Sequence, residues 1–443
     1  MVRCPVTETV TWHGWPPSSL SPGETFSSSL RKRVLVSPTS SSGLRSLLTD
    51  RPFSLWLGSQ VTSNLGYSAW SISVLWLAYQ ISGTLLLSAL VLFIQYGIYS
   101  VTFLAGPFVD RAEDKRTIFL VVLPLQAIVA GLVGFSLVSG SPPALLLLGA
   151  VAAMAVLDDF WWTVGNAVPR ILVGRDNLLR ANGIQSAVVG AGSLAGYGAG
   201  AVLLVLVGPL GGAFLRSAML VASMGFVLFL ELRSSPLGKQ DLFHDLVEGW
   251  SILGREKGRP LLQIGGLFAA EGFFLGAPLL LITLFANRDF GGSSHAYGLL
   301  FTVYMVGVVA SGLAVGRMNP RKYIGTFLIG ATIAQGATIM VSVLALPWLV
   351  QSASVWFLVG FAGGIPSTLL YSYLQAVAPA EAVGRLVSNF ELFPAGASAF
   401  GAIALGVLAT TVSPTSLGIG TGLGLTVVGI AAIAIPAVRR MRF

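Results

Sequence analysis

Charge is scarce in this sequence: Asp, Glu, Lys and Arg together make up 10% of its 443 residues. A soluble domain carries roughly a quarter of its residues as charges, so an ordinary water-facing fold is excluded. Cysteine is scarcer still. Cys4 stands alone, which excludes a disulfide within the chain and thiolate metal centres. The three histidines, His13, His244 and His295, lie far apart and show no ligand spacing, so neither a metal nor another cofactor is expected. A Gly-Lys-Thr phosphate loop is also lacking, which removes ATP-driven pumping.

What the sequence does have is apolar length. Hydrophobic residues are 54% of the chain and its mean hydropathy is +0.80. From Pro52 onward, apolar blocks recur at the roughly 20 residues a helix needs to cross a bilayer. They predict spans at 53–79, 86–109, 117–138, 144–167, 182–207, 212–232, 261–286, 296–316, 323–346, 353–376, 388–411 and 417–437. Helix stoppers mark the breaks: Ser82-Gly83, Gly140-Ser141-Pro142-Pro143, Gly208-Pro209, Pro347 and Pro414. Alternation of period two is missing, so a barrel of strands is excluded and helices remain. The 53 glycines fit close helix packing in lipid. The expected fold is therefore an all-α integral membrane protein of twelve transmembrane helices in two six-helix pseudo-repeat bundles.

The basic residues test that parsing independently. With residues 1–50 inside, every even-numbered span ends inside, and only Arg216 and Arg288 of the 26 basic residues fall elsewhere. A wrong span count would scramble that asymmetry, so both termini are expected in the cytoplasm of a multi-pass protein of the cell membrane. The positive charge then faces anionic lipid, and nucleic acid is not needed as a partner.

Four parts follow. Residues 1–50 are rich in Ser, Pro and Thr without a long apolar run, and read as a disordered cytoplasmic tail. Residues 51–232 form an N-terminal six-helix bundle and 261–443 a C-terminal one. Between them, 233–260 is a cytoplasmic linker. There Leu242, Leu246, Trp250 and Leu253 recur at helical spacing among Lys239, Asp241, Asp245 and Glu248, the pattern of an amphipathic surface helix.

The halves echo each other. Gly106, Arg111 and Lys115-Arg116 match Gly312, Arg317 and Arg321-Lys322 at an offset of 206 residues. Pro169, Val173, Gly174 and Arg175 match Pro379, Val383, Gly384 and Arg385 at an offset of 210. Parallel repeats with a binding site between the halves are a transporter design. On these residues the chain resembles the major facilitator superfamily, close to its bacterial macrolide-efflux and enterobactin-exporter type branch. The loop Gly106, Asp110, Arg111, Lys115, Arg116 is similar to the family's loop between spans two and three. Pro169 with Leu178, Ala181 and Asn182 resembles the branch's pattern after span four, and Gly192-Ser193-Leu194-Ala195-Gly196-Tyr197-Gly198-Ala199-Gly200 resembles the antiporter signature with Tyr197 in place of its proline. The resemblance implies a monomeric secondary transporter. It also implies that Asp110 caps the start of span eleven and, with Gly106, Arg111, Lys115, Arg116, Arg317 and Arg321, forms a gating loop.

Ionisable groups inside apolar spans are the strongest functional signal, because each costs roughly 2.5–3.5 kcal/mol at the bilayer centre unless paired or hydrated. They are Asp158, Asp159, Arg216, Glu271 and, nearer the inside, Glu391. Adjacent helix residues diverge by about 100°, so Asp159 shares a stripe with Thr163 and Asn166 while Asp158 lines up with Trp162. Asp159, Glu271 and Asp158 are the expected proton carriers. Arg216, a single turn into its span, can reach the outer interface or find a buried partner. In the resembled family spans one, four, seven and ten line the cavity, which implies Gln60, Asn64, Tyr67, Trp162, Asn166, Tyr371 and Gln375 as its lining. Aromatic walls with sparse polar anchors suit a bulky amphipathic cargo. The leading expectation is a proton-coupled multidrug-type efflux antiporter for hydrophobic or amphipathic small molecules, such as a drug, siderophore or secondary metabolite. Two alternatives are an uptake symporter on the same fold and a membrane sensor without transport. The third, an intramembrane aspartyl hydrolase, would need carboxyls converging from two helices.

Overall fold

An apolar segment in lipid must satisfy its own backbone hydrogen bonds, and each apolar run of this chain does so as an α-helix; no strand occurs among the described residues. The computed structural model describes residues 47–101, 105, 108–109, 112–140, 142–232, 259–318, 323–344, 348–377 and 383–441, with backbone alone at 174–176, 179, 259–261, 371, 374–377, 383–389 and 391. The chain divides into two units, Met1–Thr49 and Asp50–Phe443. In the first, residues 47–49 are helical. The second holds α1 (Arg51–Ser82), α2 (Leu85–Tyr99), α3 (Lys115–Val138), α4 (Ala144–Val207), α5 (Pro209–Val227), α6 (Arg259–Phe273) and α7 (Ala277–Asp289). It continues with α8 (Ser294–Met318), α9 (Ile324–Leu344), α10 (Leu349–Val377), α11 (Val383–Leu408), α12 (Pro414–Ile433) and α13 (Pro436–Arg439). The expected tail over 1–46 and the linker helix over 233–258 lie outside the described residues.

Local chemistry sets the helix ends. The Asp50 carboxylate accepts from the Phe53 N–H at 3.1 Å and caps α1, Pro52 sits in its first turn, and Gly83 ends it in the left-handed region at φ 65°. Asp114 interrupts the basic loop for a reason: its carboxylate accepts from the Arg116 N–H at 3.0 Å and caps α3. Among the described residues, nine helical stretches are long and apolar enough to cross a membrane, and Leu85–Tyr99 and Leu392–Leu408 are shorter apolar helices. With α1, whose serines and amides lower its hydropathy, they make the twelve spans.

Two spans differ from expectation. The sequence predicts a loop between spans four and five, but α4 is helical for 64 residues with Pro169 inside it. A straight helix of that length would run about 96 Å, far beyond a bilayer core of about 30 Å. The chain therefore reverses within helical backbone. A Cβ on Gly165 would stand 3.4 Å from Trp56 and from Gln60 Nε2, while Gln185 accepts from the same Trp56 indole at 2.9 Å, so residues 165 and 185 meet one turn of α1. Span seven, predicted as unbroken over 261–286, is interrupted between α6 and α7. Pro278 has no N–H for the Phe274 carbonyl, and its ring crowds that oxygen. The turn instead uses i to i−3 bonds, from the Phe274 N–H to Glu271 O at 2.9 Å and from the Leu275 N–H to Gly272 O at 2.8 Å. Ser398 of α11 donates to Gly272 O at 2.7 Å and helps satisfy the break.

Packing repeats between the halves: α1 lies on the second leg of α4 as α6 lies on α11, and α3 lies on α5 as α9 lies on α12. One apolar cluster joins both halves, with Trp70, Leu75, Trp76 and Leu92 from the first and Leu281, Phe285, Phe301 and Trp356 from the second. It lies toward the Ser82 end of α1. A second cluster, including Ile264, Phe268, Leu328 and Phe390, belongs to the C-terminal half alone.

Candidate transport site

The N-terminal half buries an ion pair. Arg216 of α5 donates from Nη2 to Asp158 Oδ1 at 2.6 Å and from Nη1 to the Ser63 carbonyl at 2.8 Å. Gln126 of α3 donates from Nε2 to the same Asp158 oxygen at 2.7 Å, and the Tyr67 ring lies 5.6 Å from the guanidinium. Arg216 is 1% exposed, so the outer-interface position that the sequence allowed is not taken. The reason is steric. Gly66 lets α5 come so close that a Cβ there would stand 3.3 Å from Arg216 Cα and Cδ, which turns the arginine stem inward. A cation buried there needs a carboxylate, and removing either partner of such a pair typically costs about 3–5 kcal/mol.

Asp159 is also buried, at 8% exposure, while Asn166 on its stripe is exposed and Trp162 is half-buried. Gln60 and Asn64 are fully buried. Asn64 donates to the Gln60 side-chain oxygen at 3.2 Å and to its carbonyl at 2.8 Å, so the two amides hold each other one turn apart. Two buried donors beside them, Gln60 Nε2 and Trp161 Nε1, have no hydrogen-bond partner. The side chains of Tyr371, Gln375 and Glu391 lie outside the described residues.

In the C-terminal half, Glu271 stands two residues from the end of α6, beside the break, and accepts from the Thr332 hydroxyl of α9. Thr332 has a second acceptor, the Leu328 carbonyl at 3.0 Å. The two acid sites therefore differ in kind: Asp158 is matched with a guanidinium, Glu271 with a neutral hydroxyl. Asp158 and Glu271 take their hydrogen-bond partners from different halves. Sequence reasoning missed Gln126 and Thr332. Gln126 carried a signal, being an amide inside the apolar span 117–138.

Of the expected gating loop, Gly106, Asp110, Arg111 and Arg321 lie outside the described residues. Lys115 Nζ donates to Val109 O at 3.2 Å, and Arg116 Nη2 donates to Leu228 O, past the end of α5, at 2.7 Å. Both cations thus bond carbonyls of their own half, and Arg116 does so at the C-terminus of α5, a favourable place for positive charge. Arg317 is exposed in the last turn of α8.

Twelve helical spans in two packed halves, with charged groups buried inside the spans, define a multi-pass membrane transporter and not an enzyme. Residues 55–390 match the family model of the Major Facilitator Superfamily, and the chain belongs to that family. Among curated relatives, the enterobactin exporter EntS of Escherichia coli O1:K1 / APEC is 25% identical over 342 residues, covering 74% of this chain and 78% of the relative. The enterobactin exporter EntS of Citrobacter koseri is 27% identical over 333 residues, covering 73% and 77%. Solved structures share the fold at lower identity. The nucleoside transporter NupG superposes with TM-score 0.65 at 12% identity over 86% of this chain and 98% of that one. A bacterial homolog of the human lysosomal transporter Spinster, inward-facing and unoccupied, gives 0.63 at 16% over 89% and 99%.

Proposed function

We propose that this chain is a proton-coupled exporter of hydrophobic or amphipathic small molecules, working as a monomer by alternating access between its two six-span halves. The observation that carries the reading is Glu271, a carboxyl inside a spanning segment, next to a helix break, hydrogen-bonded to a neutral hydroxyl. A carboxyl kept in that setting is a functional group by default, because a structural one would be matched or absent. Asp159, buried in the fourth span, is the second proton carrier. Asp158 follows them, since Arg216 and Gln126 already hold one of its oxygens. Export as the direction is supported by the exporters among the relatives. Gln60, Asn64, Tyr67, Trp162, Asn166, Tyr371 and Gln375 are the proposed cargo contacts, and the loop from Gly106 to Arg116 with Arg317 and Arg321 the proposed inner gate.

The test is a pH jump in proteoliposomes loaded with a panel of lipophilic dyes. Cargo should move against the proton gradient in the native chain. In Glu271→Gln, gradient-driven accumulation should vanish while dye-for-dye exchange persists. Dye moving in the same direction as protons would replace export with uptake, and full gradient-driven transport by Glu271→Gln would remove that carboxyl from the coupling.

A further inference from the structure

At the Ser82 end of the bundle the halves are joined by more than apolar contact. Tyr297, in the first turn of α8, donates its hydroxyl to the Ile72 carbonyl of α1 at 3.1 Å. Its ring stacks on Trp76 with centroids 4.5 Å apart and planes 25° from parallel. One turn on, Phe301 meets Tyr197 of α4 at 5.4 Å. Gly298 makes the approach possible, since a Cβ there would stand 2.9 Å from that of Ala201. Trp76 and Tyr297 are both fully buried.

This seam has a built-in imbalance. Two large rings removed from water and stacked favour closure. Yet Trp76 Nε1 is buried without an acceptor, and an unmade hydrogen bond of that kind opposes closure until the indole meets water or a new partner. The contact is strong in area and incomplete in polarity, which suits a joint that must come apart.

We infer that Trp76 and Tyr297 are the latch holding the Ser82 end shut, and that their separation is the step that opens the interior there. The inference rests on the alternating-access part of the proposed function, and on neither its proton coupling nor its cargo.

The experiment is a distance measurement in the full-length chain in lipid nanodiscs. Cys4→Ser removes the native cysteine. Thr84→Cys and His295→Cys, both exposed and on opposite halves at this end, then carry spin labels. Pulsed electron resonance should give mainly a short distance with the latch intact. Tyr297→Phe keeps the ring and removes the one hydrogen bond its hydroxyl makes to α1, so the ratio of long to short distances should rise by about fivefold, the effect of one net hydrogen bond. Trp76→Ala should raise it further. Distance distributions of both variants superimposing on that of the parent would overturn the latch. Should Trp76→Ala fail to fold, the isosteric Tyr297→Phe decides alone. The distances are measured without dye transport, so the latch stands or falls separately from the proton coupling.

Discussion

Arg216 shows how a single glycine can decide the fate of a charge. An arginine one turn into a span could stretch its stem to the interface. Here Gly66 draws α5 against α1, and the guanidinium meets Asp158, Gln126's partner, instead. Arg216→Gln and Asp158→Asn should therefore each lower the thermal unfolding midpoint of the purified protein, each leaving a group without its match. The double variant should lose clearly less than the sum of the two single losses, with a coupling of about 1–3 kcal/mol between the two sites. Additive losses would show that the pair is not one unit. The sequence made both residues legible as charges inside spans, but not their partnership, because 58 positions separate them and contact across helices leaves no periodic trace. Glu271 was legible in the same way. Its partner Thr332 was not, since a threonine in a membrane helix usually bonds its own backbone, as Thr332 also does.

Among the elements, α1 owes its central place to what it lacks. It packs against α5 and both legs of α4, and small residues admit the neighbours: a Cβ on Gly200 would stand 2.7 Å from Ala69 Cα. Gly198, two residues away, has open space where its Cβ would be. Gly200→Val should thus cost at least about 1–3 kcal/mol through overpacking, whereas Gly198→Val should stay within about 0.5 kcal/mol of the parent. Thermal unfolding of the two purified variants separates them, and equal losses would mean that propensity rather than close approach governs this leg. Span positions were readable throughout because apolar length is set by the bilayer. The reversal inside α4 was not, because a polar stretch carrying Pro169 and Arg175 reads as a loop whether or not its backbone stays helical. The break in span seven had its sign in the sequence: Pro278 lies well inside 261–286, with Gly272 and Gly276 ahead of it.

For the whole molecule, charge placement and packing point the same way. Because α8 starts beside Ile72, its last turn with Arg317 lies at the opposite end, the one where α1 begins at Arg51. Arg288 sits near the Ser82 end and is matched by Asp289, with Nη2 to Oδ2 at 2.7 Å, so it adds little net charge there. We propose that the cationic ends face the cytoplasm, where topogenesis and anionic lipid favour positive charge. In a Cys4→Ser background, Thr84→Cys should therefore react with a membrane-impermeant maleimide in intact cells. Met318→Cys, exposed at the other end, should react only after permeabilisation. The reverse pattern would invert the orientation and with it the direction in which the proposed cycle runs. With the expected pattern, the seam of Trp76 and Tyr297 is the outer barrier, and an exporter must part it once per cycle to let cargo go.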